Sequence, residues 1–172
     1  MPGEATSETL SATPFQWKRL WVILALVAIA GFETWDGWTN LAIPDSISQR
    51  SVIGGIFLVA HIVSQPILGA AALVFALIGR ARYAIIVLAA NIVLRWLTAD
   101  LFDPANWKIT GLWSAQETIV NLVIMPIAGL TAGSFAARNI RLGLATFLVC
   151  LPTLYLIVVM VGFTISVLIY GF

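Results

Sequence analysis

Five apolar stretches, four of them twenty residues or longer, run through this chain with almost no charge inside them, which leaves few folds open. The first runs from Leu20 to Phe32 and closes on Trp35 and Trp38. The others are Val52 to Ile78, Tyr83 to Phe102, Ser114 to Ala137 and Leu142 to Tyr170. At 1.5 Å per residue, ~20 residues cross a hydrocarbon core of ~30 Å, and a longer helix must tilt, kink or protrude. Of 172 residues, 60% are hydrophobic and 10% charged, with a mean hydropathy of +0.99. A soluble domain keeps roughly a quarter of its residues charged. The expected fold is all-α: a polytopic integral membrane protein with five transmembrane helices.

A second feature organises the runs. Val63-Ser-Gln-Pro66-Ile67-Leu-Gly69-Ala-Ala-Ala72-Leu-Val-Phe75-Ala76 returns sixty positions later as Val123-Ile-Met-Pro126-Ile127-Ala-Gly129-Leu-Thr-Ala132-Gly133-Ser-Phe135-Ala136. Seven of these fourteen columns are identical without a gap, and a shared Pro-Ile-x-Gly register is a poor fit to chance composition. The same offset pairs Leu41 with Leu101, Pro44 with Pro104 and His61 with Asn121. Such self-similarity marks a duplicated supersecondary unit. The expected organisation is a disordered cytoplasmic tail (1–14), a first hairpin (15–80), a second hairpin (81–138) and an unrepeated fifth helix (139–172). Equivalent helices run the same way, so the repeat is parallel.

Charge placement sets an orientation. Lys18, Arg19, Arg80, Arg82, Arg138 and Arg141 fall on one side of the runs, and Asp36, Asp45, Arg50, Asp103 and Lys108 on the other. By the positive-inside rule the N-terminus is cytoplasmic and the C-terminus outside, with Trp107 and Trp113 as interfacial anchors. Short loops and this bias point to a bacterial inner membrane. Ala28-Ile-Ala30 before Gly31 also fits a signal-peptide cleavage site. The repeat needs a partner for its second span, which favours a retained helix.

Three sets of residues are candidates for function. Pro66 and Pro126 lack an N–H, so the carbonyls of Ile62 and Leu122 lose their helical partners and the helices are expected to kink. His61 and Asn121 stand beside those carbonyls near the expected midplane. Together they form either a small polar site or inter-helix hydrogen bonds. Glu33, Arg95 and Glu117 lie within one to two turns of the outer interface. A charge at that depth costs roughly 3 kcal/mol and calls for a partner or a wet cavity. Arg95 is expected to pair with Glu33 or Glu117, or else to snorkel beside Trp96. The small residues Gly69, Ala72 and Ala76, with Gly129, Ala132, Gly133 and Ala136, give stripes on which helices can approach closely. The second and fourth spans are expected to meet each other, or their copies, along them.

The remaining chemistry is narrow. One histidine and one cysteine, Cys150 in an apolar run, supply no haem, zinc or other metal site, so no cofactor is expected. No hydrolase elbow, zincin motif or phosphate loop is present. Ser64 stands three residues from His61, but a serine in such a helix usually bonds its own backbone. A net charge of +1 without a basic stripe excludes a nucleic-acid partner. The partners expected are the lipid bilayer, a second copy or larger membrane complex, and a lipid or small apolar ligand.

Three function classes remain, separable by geometry. A non-enzymatic accessory, scaffold or ligand-binding protein leads, and a scaffold would show the polar residues paired and dry. A small dimeric transporter or channel would show a cavity reaching His61 and Asn121. An intramembrane enzyme acting on lipid or isoprenoid would show Glu33, Arg95 and Glu117 converging on one pocket.

Overall fold

The computed structural model describes residues 14–41, 52–101 and 110–171. The six α-helices are α1 (Pro14–Thr39), α2 (Val52–Leu77), α3 (Ala81–Arg95), α4 (Leu112–Ile119), α5 (Met125–Ala137) and α6 (Leu142–Tyr170). α3 runs on into a π turn at Trp96–Asp100, and a second π turn at Val120–Ile124 joins α4 to α5. No strand occurs among the described residues. Five helices are long and apolar enough to cross a membrane: Arg19–Thr39, Gly55–Leu77, Ala81–Thr98, Ser114–Ala137 and Leu142–Tyr170. The expected tail lies outside the described residues except at Pro14, where α1 begins. Pro44, Asp45, Arg50, Asp103, Pro104, Trp107 and Lys108 also lie outside them.

The helices form an antiparallel bundle in chain order: α1 on α2, α2 on α3, α3 on α5, and α5 on α6, with α6 also touching α1 and α3. Glycine sets the closest approaches. A Cβ at Gly37 would lie 2.7 Å from Pro66 N, and one at Gly69 would lie 2.8 Å from Thr34 N. Backbone therefore packs directly on backbone where α1 meets α2. A Cβ at Gly129 would stand 3.1 Å from Ile92 Cγ2 and 3.2 Å from Val93 Cγ2 on α3. Within the chain, the close approaches at Gly69 and Gly129 are thus to α1 and α3, where the sequence suggested that the second and fourth spans meet each other or their copies. Lipid tails are as apolar as Leu, so helices gain from close van der Waals contact and little from apolar area alone.

The bundle has two unlike halves. Leu26 and Ala30, Ala72 and Ala76, Ala84 to Ala89, Ala132 and Ala136, and Ala145 and Val149 form a core dominated by alanine. All of these lie in the half next to the arginine-bearing turns. One turn there is closed by Gly79 N–H to Ala76 O at 3.0 Å and Arg80 N–H to Phe75 O at 2.9 Å, with Gly79 at φ 73°. The other is closed by Asn139 N–H to Ala136 O at 3.0 Å and Ile140 N–H to Phe135 O at 2.9 Å, with Asn139 at φ 55°. Both are Schellman turns, in which a left-handed residue satisfies the last helical carbonyls. Arg82 Nη2 donates to Ala137 O at 2.6 Å, tying the two turns together. The far half contains the π turns and the polar residues.

Proline acts differently in its two settings. α2 continues through Pro66, whereas Pro126 follows directly on a π turn and sits in the first turn of α5. There the chain stays helical, and Met125 N–H beside it donates five residues back to Val120 O. A π turn holds one extra residue, which rotates what precedes it by ~100° relative to an unbroken helix.

Candidate functional site

The far half of the bundle encloses a cavity of about 380 Å³ between α1, α3, the fourth span and α6. Each element contributes polar groups from positions that the helical repeat brings inward. α1 supplies Glu33 and Asp36 with Phe32, and α3 with its π turn supplies Asn91, Arg95 and Asp100. The fourth span supplies Glu117, Asn121 and Met125, and α6 supplies Thr153 and Tyr155 with Leu156 and Val159. Asn91 lies ten residues into α3, or ~15 Å, so the cavity floor is near the middle of the bundle.

The hydrogen bonds fix several of these groups. Asn91 Nδ2 donates to Glu33 Oε2 at 3.2 Å, joining α3 to α1. Asp36 accepts from Gln65 Nε2 on α2 at 3.0 Å and from Asn40 Nδ2 at 2.8 Å. Arg95 Nε lies 3.8 Å from Asp100 Oδ2. Arg95 therefore pairs within its own helix, five residues on, and forms no ion pair with Glu33 or Glu117. The guanidinium stays half exposed, so this bridge adds little to stability. The π turn brings Asp100 round to it.

Comparison with family models, with curated proteins and with solved structures finds no match.

The sequence candidates divide. Glu33, Arg95, Glu117 and Asn121 converge on the cavity; His61 is not among its lining residues. His61 Nδ1 is buried without a hydrogen-bond partner, and its carbonyl accepts from Ser64 Oγ at 3.0 Å, the backbone bond expected of that serine. The π turn at Val120–Ile124 has no counterpart in α2, so residues aligned in sequence differ in rotational phase. Pro66 and Gly69 lie at the α1 crossing, Gly129 at the α3 crossing, and Ala72, Ala76, Ala132 and Ala136 in the core. A Cβ at Gly133 would stand 3.5 Å from Ala89 Cβ.

Asp36, Asn91, Asp100, Thr153 and Tyr155 were not singled out from sequence. Asp36 read as a charge on the outer side of the runs, and Asp100 stood at the end of the third run. Asn91 and Thr153 read as isolated polar residues within them. Asn91 Oδ1 is the most telling of these atoms. The side chain is 5% exposed, its Nδ2 is committed to Glu33, and its oxygen has no partner. Flipping the amide would set that oxygen against the carboxylate, so the orientation is fixed by the neighbour. A buried carbonyl acceptor left open costs about 1–3 kcal/mol unless something else meets it.

Proposed function

We propose that this is a multi-pass membrane protein that binds a small amphiphilic molecule in the cavity among Glu33, Asn91, Arg95, Glu117 and Asn121. The observation that carries this reading is the meeting of polar groups from four separate spans around one cavity. Its volume falls within the ~300–1,000 Å³ usual for small-molecule sites, and its walls mix apolar surface with a few placed polar groups. Charged side chains at membrane depth face a partner or a wet cavity, and these face a cavity. A protein that only held others together would need no cavity among such groups.

In this reading the chain comprises two duplicated hairpins and a fifth helix. Equivalent residues behave alike where the helices are regular: Ala72, Ala76, Ala132 and Ala136 are all at 0% exposure, and Ile67 and Ile127 are at 61% and 57%. The turns at Gly79 and Asn139 repeat the same two hydrogen bonds sixty residues apart. By the positive-inside rule, Arg80, Arg82, Arg138 and Arg141 favour a cytoplasmic tight end, with the cavity opening outward and the C-terminus outside. A bacterial inner membrane suits this bias.

The convergence of Glu33, Arg95 and Glu117 also favours a second reading, an enzyme acting on a lipid or isoprenoid at the outer leaflet. Binding is preferred because Glu33 and Arg95 are each held by a neighbour, Asn91 and Asp100, as fixed recognition groups are.

Native mass spectrometry of the protein beside Asn121→Trp, which fills the cavity, tests the proposal. A small molecule carried by the wild type and lost in the variant is the expected result. Equal spectra without an adduct count against binding, and an adduct whose mass changes on incubation favours the enzyme.

A further inference from the structure

Granting that the cavity binds a ligand, its chemistry restricts what the ligand can be: we infer that it takes a primary ammonium group attached to an apolar body. The charges come first. The described lining carries four carboxyl groups, Glu33, Asp36, Asp100 and Glu117, against the single cation Arg95, which lies beside Asp100. Glu33 and Asp36 receive hydrogen bonds from side-chain amides, which are neutral donors. A carboxylate has about four acceptor sites, so capacity remains on both. Negative charge held inside an apolar bundle without a cation is costly. A cationic ligand would relieve that cost, and an anionic one would add to it.

The acceptors come second. Asn91 lines the cavity and is 5% exposed, and its Oδ1, buried without a hydrogen-bond partner, is an independent sign of a missing donor. Four carboxyl groups line the same cavity, so acceptors are plentiful there beside the donors of Arg95, Asn121, Thr153 and Tyr155. A ligand that brings N–H groups would meet these acceptors, and a primary ammonium has them where a quaternary ammonium lacks them. Phe32 and Tyr155 add ring surface suited to a cation, while Leu156 and Val159 offer an apolar wall for the body of the molecule.

A primary ammonium could come from a free amine or from the headgroup of phosphatidylethanolamine. Isothermal titration calorimetry separates these, using the full-length protein in phosphatidylcholine nanodiscs, with and without added phosphatidylethanolamine. Hexylammonium is expected to bind roughly tenfold more tightly than hexyltrimethylammonium, since charge-assisted hydrogen bonds are worth about that. Loss of hexylammonium affinity when phosphatidylethanolamine is added identifies the lipid as the competing occupant; undiminished affinity identifies a free amine. Both results support the primary ammonium.

Two variants at the rim keep the test independent of folding. Glu117→Gln should weaken hexylammonium binding several-fold and Arg95→Gln should strengthen it, because one removes an attracting charge and the other a repelling one. A merely structural role predicts no gain from either. Equal affinity for hexylammonium and hexyltrimethylammonium overturns the inference, as does tighter binding of hexanoate, while both leave the cavity a binding site. Absence of binding by all three probes in both nanodiscs overturns the inference and the binding proposal together.

Discussion

Asn91 Nδ2 donates to Glu33 Oε2 at 3.2 Å, and this bond ties the middle of α3 to α1 at the floor of the cavity. It holds the Glu33 carboxyl group in an apolar bundle with a neutral donor, and it leaves the amide oxygen buried without a partner. Replacing Asn91 by Leu removes the donor and strands the carboxylate. The expected loss is about 1–3 kcal/mol, read as a lower midpoint in thermal unfolding in detergent. Asn91→Leu/Glu33→Leu should recover much of it, since removing both partners leaves no orphaned group.

The α1–α2 crossing should tolerate no added volume. Gly69→Ala puts a methyl 2.8 Å from Thr34 N, and Gly37→Ala puts one 2.7 Å from Pro66 N. Both neighbours are backbone, so the helices must separate, at a cost of about 1–3 kcal/mol each. Gly133→Ala meets Ala89 Cβ at 3.5 Å and Gly31→Ala meets nothing within 4 Å, so both should unfold like the wild type.

Arg95 should matter little to stability. Its side chain is 53% exposed and stands 3.8 Å from Asp100 in the same helix. Arg95→Gln and Arg95→Lys should each change stability by less than about 1 kcal/mol in the same thermal assay. A large loss for Gln that Lys restores would instead make this cation a structural element of the bundle.

The alanine core should respond to size and the outer faces should not. Ala72→Leu or Ala132→Leu forces a large side chain into a position at 0% exposure and should unfold or strongly destabilise the protein. Ile67→Ala and Ile127→Ala, at 61% and 57% exposure, should cost little. Thermal midpoints of the four variants decide this.

The spans could be read from sequence because apolar length is a direct physical requirement of crossing hydrocarbon. The cavity could be read only in part. Glu33, Arg95, Glu117 and Asn121 stood out as polar groups at membrane depth. Asn91 did not, because a single amide in an apolar helix looks the same whether it bonds a neighbour or faces a ligand. Asp100 did not either, because it stands at the very end of the third apolar run; the π turn that turns it back toward Arg95 has no sequence signature. His61 was matched to Asn121 by a sixty-residue offset that counts residues but not rotation. The π turn before Pro126 breaks the phase between them. Gly69 marked a close approach, but nothing in its spacing named α1 as the helix it approaches.

The most direct measurement is thiol labelling from water of Asn121→Cys, with His61→Cys alongside, both in a Cys150→Ser background and in sealed vesicles of known orientation. The account predicts that a membrane-impermeant methanethiosulfonate reagent modifies Cys at 121 from the outer side and leaves Cys at 61 intact. Prior addition of hexylammonium should slow the reaction. Protection of both positions would mean that no wet cavity opens between these spans, and the binding-site account would fail.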